Sequence, residues 1–420
     1  MKALRLLLGC VLVASLIHAA GHPAVAASTP QAQPVVVAVL GEAGGVNVLH
    51  QDFRTADGRT PAYPAGMPRP VMVALPRGGA FASQRAALER GPLGHLAPGV
   101  LYGVAGTRLL LVNAGTGPYD GVQADALHAT GVADSITGTR HGTDPRALVV
   151  VVLSDQEGVY SWLAANAAWV DLASTSVYTL RTVAGSVGDT EATRQCTGAD
   201  QVRSYTDRGR LLFSSAGNTT DQAEPLIAPN GLPETYLVGG VDSKGNTWRP
   251  GHTEETDPFY AAGNVVRPYE TGERFSYQAA APDSLTGLTH FGGTSGATPL
   301  TAGWAADLVA HARAVLGSGH TPVAASLAAG PHRPARGPLA DGRFTNEELR
   351  GLLHVVAVQH SGLPAGAAYA AEGYGTLNAA AIHLATRILD GTTTVATRQA
   401  DDQADGATRQ LRAAAFARCG

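Results

Sequence analysis

Seven consecutive positions, Pro34-Val35-Val36-Val37-Ala38-Val39-Leu40, carry no polar side chain. A strand with one wet face alternates apolar and polar residues, so a β-branched run without alternation must be covered on both faces. Parallel strands sandwiched between helices meet that condition. Further apolar runs stand at Leu109 to Val112, Leu148 to Leu153, Val170 to Ser174, Leu211 to Ser215 and Tyr236 to Val241. The segments between them are long enough to hold crossovers. The expected fold class is therefore α/β, with a mainly parallel central sheet flanked by helices. A helix is also expected over Asn346 to Val356.

Lys2 and Arg5 precede the apolar stretch Leu6 to Ala20, and Ala24-Val25-Ala26-Ala27 offers the small residues that a signal peptidase reads. Residues 1–27 are read as a bacterial export signal, with Cys10 inside it, and the mature chain as secreted. The apolar stretch is too short for a comfortable membrane span, and no later stretch reaches its length uninterrupted. Once the signal is removed, Cys196 and Cys419 are the remaining thiols. An even pair in an oxidising compartment permits one disulfide without requiring it. No Cys-x-x-Cys or Cys/His spacing suggests a metal site, and no metal ligand is assigned. A net charge of −4 without basic clusters leaves no footprint for nucleic acid.

The chemistry concentrates in Phe291-Gly292-Gly293-Thr294-Ser295-Gly296-Ala297-Thr298-Pro299, a glycine-rich turn that leads into the apolar run from Leu300 to Val309. Such a turn exposes a serine at a helix N-terminus, where small neighbours admit a substrate backbone and the helix favours developing negative charge. The string Gly-Thr-Ser-x-Ala-Thr-Pro resembles the serine motif of the subtilisin-like serine proteases, the subtilases. The resemblance makes Ser295 the nucleophile. Upstream, Ser214-Ser215-Ala216-Gly217-Asn218 is similar to the subtilase segment that supplies the oxyanion-hole amide, which implies that role for Asn218.

Two histidines compete for the base. His141-Gly142-Thr143 matches the family's His-Gly-Thr string, whereas His128-Ala129-Thr130-Gly131-Val132-Ala133 matches the longer His-Gly-Thr-x-Val-Ala pattern with one Gly replaced by Ala. After His128 come a helical turn or two, a loop, a proline-marked turn at Pro145 and a strand, in the family's order. After His141 only a few residues precede the strand, and Pro145 blocks a helix there. His128 is the favoured base and His141 the alternative. The acidic position departs from the family: the strand opens into Gly41-Glu42-Ala43-Gly44-Gly45 with no aspartate at its start. Glu42 is the carboxylate available to orient the histidine, one methylene longer than Asp and next to an apparent one-residue insertion near Gly44. Its rival reading is a solvated loop charge. Asp52 lies too far along the loop.

The resemblance covers most of residues 35–390 as one catalytic domain. It implies a Pro/Gly-rich insertion over about 54–119 with some strand content, and a turn at Gly373-Tyr374-Gly375 before a last helix. From 391 to 420 a polar, mobile tail is expected. Fewer than ten residues separate Ala27 from the first strand, so no propeptide is expected. The substrate strand near Asp171 to Tyr178 lacks the family's glycine after its serine, which points to a narrowed S1 pocket. The implied function is a monomeric, secreted serine endopeptidase acting on protein or peptide substrates, without a cofactor. The family resemblance leaves calcium open, with no site assigned. Two alternatives stand beside it: a catalytically impaired subtilase-fold scaffold that binds peptides, and an α/β-hydrolase esterase with Asp341 and His354 completing a triad after Ser295.

Overall fold

The computed structural model describes residues 34–42, 44–122, 126–154, 158–176, 196, 198–217, 229, 231–242, 269–317, 334–417 and 419. All six apolar runs are strands of one nine-stranded sheet. In chain order its strands are β1 (Val36–Glu42), β2 (Val71–Val73), β3 (Leu101–Val104), β4 (Leu109–Asn113), β5 (Leu148–Leu153), β6 (Leu172–Thr175), β7 (Leu211–Ser215), β8 (Tyr236–Val241) and β9 (Thr271–Arg274). Across the sheet the order is β2-β3-β4-β5-β1-β6-β7-β8-β9. Every adjacent pair is parallel except β3 with β4. The segment read as an insertion adds β2 and β3 to one edge, together with helix α1 (Phe81–Glu89).

The absence of alternation in β1 follows from what covers it. Val35, Val37 and Val39 pack with α2 (Leu127–Thr137), α5 (Thr294–Leu316), α6 (Asn346–Val356) and α8 (Ala379–Leu389) in one cluster. Val36, Ala38 and Leu40 pack on the opposite face with α3 (Gly158–Ala165) and α4 (Ala199–Thr206). A Thr345–Glu348 capping box starts α6 at its expected residue. A separate antiparallel hairpin, β10 (Ser276–Ala280) and β11 (Leu288–Gly292), leads directly into α5.

β1 lies between β5 and β6: after β1 the chain starts at the far edge with β2, fills inward to β5 beside β1, then crosses β1 and builds outward from β6 to β9. In open parallel sheets, the crevice beyond the carboxyl ends of the strands at such a switch point is where ligands bind. Glu42 ends β1, Ser176 follows β6, and Gly217 stands two residues beyond β7.

The segment expected to be a mobile tail is instead helical. After α7 (Ala367–Glu372) and α8, helix α9 spans Gln399–Ala415. The acids that made it read as solvated have partners. Tyr369 donates to Asp405 at 2.6 Å, Tyr374 to Asp402 at 2.9 Å, and Arg398 to Asp401 at 2.9 Å. Arg412 donates to the carbonyls of Gly231 and Leu232. Phe416 and Cys419 join the second core cluster, and Cys419 is disulfide-bonded to Cys196, 223 positions away. Composition misleads here because Asp402, Asp405 and Arg412 find hydrogen-bond partners far off in sequence. Cys419→Ser, or reduction of the wild type, is expected to lower the unfolding free energy by about 2–5 kcal/mol. Urea denaturation with and without reductant measures this; an unchanged midpoint would mean that the polar contacts alone hold α9.

Candidate active site

α2 and α5 both run against the strand direction, which sets their N-termini at the carboxyl edge of the sheet. His128 is the second residue of α2 and Ser295 the second of α5. The turn before Ser295 needs Gly293, whose φ of 76° lies in the left-handed region that other residues seldom adopt. As the second residue of the helix, Ser295 has a backbone N–H with no intrahelical acceptor.

Glu42 reaches His128 through a β-bulge. In the β1–β5 register Leu40 pairs with Val152 and Glu42 with Leu153, so Gly41, at φ 76°, is the extra residue. A bulge re-aims the side chain that follows it. Glu42 is fully buried, not a solvated charge, and its Oε2 accepts a 2.7 Å hydrogen bond from His128 Nδ1. Its Oε1 is buried and has no hydrogen-bond partner. With Nδ1 carrying the proton, Nε2 is the basic nitrogen of His128. Burial opposes the imidazolium, but the charge and hydrogen bond of Glu42 outweigh it and raise the His128 pKa above the ordinary 6.5. The imidazole remains 39% exposed, and its ring centroid lies 5.8 Å from that of Phe291 in an edge-to-face arrangement.

His141 lies beyond the other end of α2. That helix has 11 residues, so about 16 Å separates its ends. Past its C-terminus the chain turns through His141 and Pro145 into the start of β5, at the opposite edge of the sheet. Burial lowers the His141 pKa. Asp52 belongs to the same remote end, where it is paired with Arg140 at 2.7 Å. The esterase arrangement does not form. His354 is buried with Nε2 bonded to Glu270 at 2.8 Å and its ring stacked on Tyr374 at 3.8 Å. Asp341 accepts the Arg343 amide in an exposed turn.

Two features link Ser295 to the base helix. Tyr277 donates from its phenol to the Gly296 carbonyl at 3.1 Å and is hydrogen-bonded to Ser135 of α2. It is also the cross-strand partner of Phe291, so the hairpin is wedged between the two helices. Lower down, Thr143 donates to the Leu300 carbonyl at 2.8 Å. Ser295 Oγ itself donates to the Ser176 carbonyl at 3.2 Å and is not bonded to His128. Catalytic hydrogen bonds commonly tighten only when substrate is bound. The Gly217 amide donates to Thr294 Oγ1 at 3.2 Å, bringing the end of β7 to the serine turn. Asn218, read as the oxyanion donor, lies outside the described residues, as do Val177 and Tyr178 of the substrate strand. Sequence reasoning missed the Gly41 bulge and Tyr277. A glycine inside a strand run is the signal for the first; nothing local marks the second.

Among the described residues no three His, Cys, Asp or Glu side chains are grouped as a metal site. No described helix is long and apolar enough to cross a membrane.

The family model described as the subtilase family matches residues 112–327, just over half of the chain, including His128 and Ser295 but beginning after Glu42. No curated protein sequence matches significantly. Among solved structures, the epidermin leader peptide processing serine protease EpiP from Staphylococcus aureus is 11% identical, with a TM-score of 0.50 over 87% of this chain and 78% of its own. A mutant of the protease domain of PatA is 17% identical, with a TM-score of 0.48 over 86% of this chain and 98% of its own. A cold-adapted subtilisin-like serine proteinase is 18% identical, with a TM-score of 0.45 over 82% of this chain and 88% of its own. At 11% identity the EpiP likeness speaks to the fold alone. The match across half the chain settles the family: this protein belongs to the subtilases.

Proposed function

We propose that the protein is a secreted serine endopeptidase in which Ser295, His128 and Glu42 form the catalytic triad. The observation that carries the reading is the 2.7 Å Glu42–His128 hydrogen bond, formed at the same sheet edge as the serine turn. It supplies an acid where the sequence offers no aspartate after the first strand. In this mechanism Ser295 Oγ attacks the peptide carbonyl as His128 Nε2 takes its proton, and buried Glu42 stabilises the imidazolium that results. The Ser295 amide and Asn218 hold the oxyanion. His128 then gives its proton to the leaving amine, the acyl-enzyme remains on Ser295, and water activated by the same histidine releases it. The N-terminal pattern of residues 1–27 supports export.

A fluorophosphonate probe is expected to label the mature protein, and Ser295→Ala to abolish labelling. His128→Ala should slow peptide hydrolysis by roughly 10⁴-fold, on the scale of losing a triad member, whereas His141→Ala should have little effect. The reverse ranking would return the base to His141. A folded wild type that is never labelled would favour the binding scaffold.

The pH profile tests the carboxylate. A general base must be neutral, and Glu42 raises the His128 pKa, so the acid limb of kcat/KM should titrate above 6.5. Glu42→Gln removes the raising influence and leaves the burial that lowers the pKa. The limb should therefore move to lower pH while the plateau rate falls sharply. A limb that stays in place would show that Glu42 does not set the charge of the catalytic base.

A further inference from the structure

Pro299 lies inside α5, four residues after Ser295. In an α-helix the carbonyl of residue i accepts the N–H of residue i+4, and proline has no N–H to offer. The Ser295 carbonyl is thus released by the sequence of its own helix, and a carbonyl packed away from water needs another donor. It has one from outside the helix: Ser176 Oγ donates to Ser295 O at 3.2 Å. Ser176 in turn accepts the Ser295 hydroxyl on its own carbonyl, also at 3.2 Å. Two hydrogen bonds therefore tie residues 119 positions apart.

Ser176 is well placed to hold something still. It is 2% exposed and is the first residue beyond β6. Its predecessor Thr175 pairs with Leu40 of β1 and Ser214 of β7. Hydrogen-bonded strands on both sides fix Ser176, and Leu40 stands two residues before Glu42. A bond from Ser176 to the nucleophile's backbone thus transmits the position of the sheet, and with it that of Glu42, to Ser295. Neighbouring ties hold α5 at Thr294, which accepts from Gly217, and at Gly296 and Leu300, but none of them reaches the Ser295 carbonyl.

We infer that Ser176 is a positioning residue for the nucleophile: its hydroxyl replaces the helix amide removed by Pro299 and sets the distance of Ser295 from the sheet edge. The inference rests on reading Ser295 as the nucleophile. Without the Ser176 hydroxyl, the first turn of α5 has an unsatisfied carbonyl and can drift from the sheet. Small misplacements at a reacting centre are felt steeply in rate, on the order of 10²-fold for an ångström.

A double-mutant cycle over Ser176→Ala and Pro299→Ala tests it, because replacing the proline restores the N–H that the carbonyl lacks. For the four proteins, the saturating inactivation rate constant and the apparent affinity for a fluorophosphonate would be measured, together with urea midpoints. Ser176→Ala alone should slow inactivation roughly tenfold or more with affinity nearly unchanged. In the Pro299→Ala background the same substitution should change neither rate nor midpoint. Wild-type inactivation rates in Ser176→Ala, or an equal loss in both backgrounds, would overturn the proposal. A folded wild type that never reacts overturns the nucleophile reading instead. The urea midpoints then decide the clamp, coupled losses supporting it and additive losses removing it.

Discussion

β1 lies between β5 and β6 with apolar side chains pressed against helices on both faces, and a strand so enclosed meets polar surroundings only at its ends. That enclosure governs the rest of the molecule. Helices returning across a parallel sheet must begin at its carboxyl edge, so α2 and α5 present their N-termini, with His128 and Ser295, beside the end of β1. Glu42, His128 and Ser295 come from three distant stretches of chain, and sheet order and helix direction leave them the same edge.

At that edge the carboxylate facing His128 is a glutamate, Glu42. The bulge at Gly41 changes the exit of β1 and lets that side chain meet His128 Nδ1. Burial of Glu42 has an electrostatic consequence. One carboxylate oxygen has no partner, and an isolated buried charge is expensive. The proton on His128 is the compensation at hand, which is why the imidazolium is favoured despite its own burial. In the proposed mechanism that preference is what general-base catalysis requires, since it helps His128 take the serine proton.

Elsewhere the chain commits its charges to architecture. Glu270 is shared by Arg350 and His354 inside the core, and the acids of α9 meet Tyr369, Tyr374 and Arg398. With the Cys196–Cys419 bridge, these contacts bind the C-terminal segment to the catalytic unit. His354, suggestive beside Asp341 in a linear reading, thereby serves the structure.

Much of the fold was legible because it is written in local patterns. Runs such as Leu148 to Leu153 can satisfy their apolar faces only in a two-sided sheet. The serine turn was equally legible, since glycines flanking Ser295 are a backbone requirement of the turn itself. The choice of His128 over His141 followed from the room needed for a helix before β5. What the sequence alone could not decide were the pairings: that Glu42 meets His128, that Tyr277 bridges α2 and α5, that Ser176 holds the carbonyl freed by Pro299, and that Cys419 reaches Cys196. Each depends on the register between elements far apart in the chain, and register is decided only when the whole core packs.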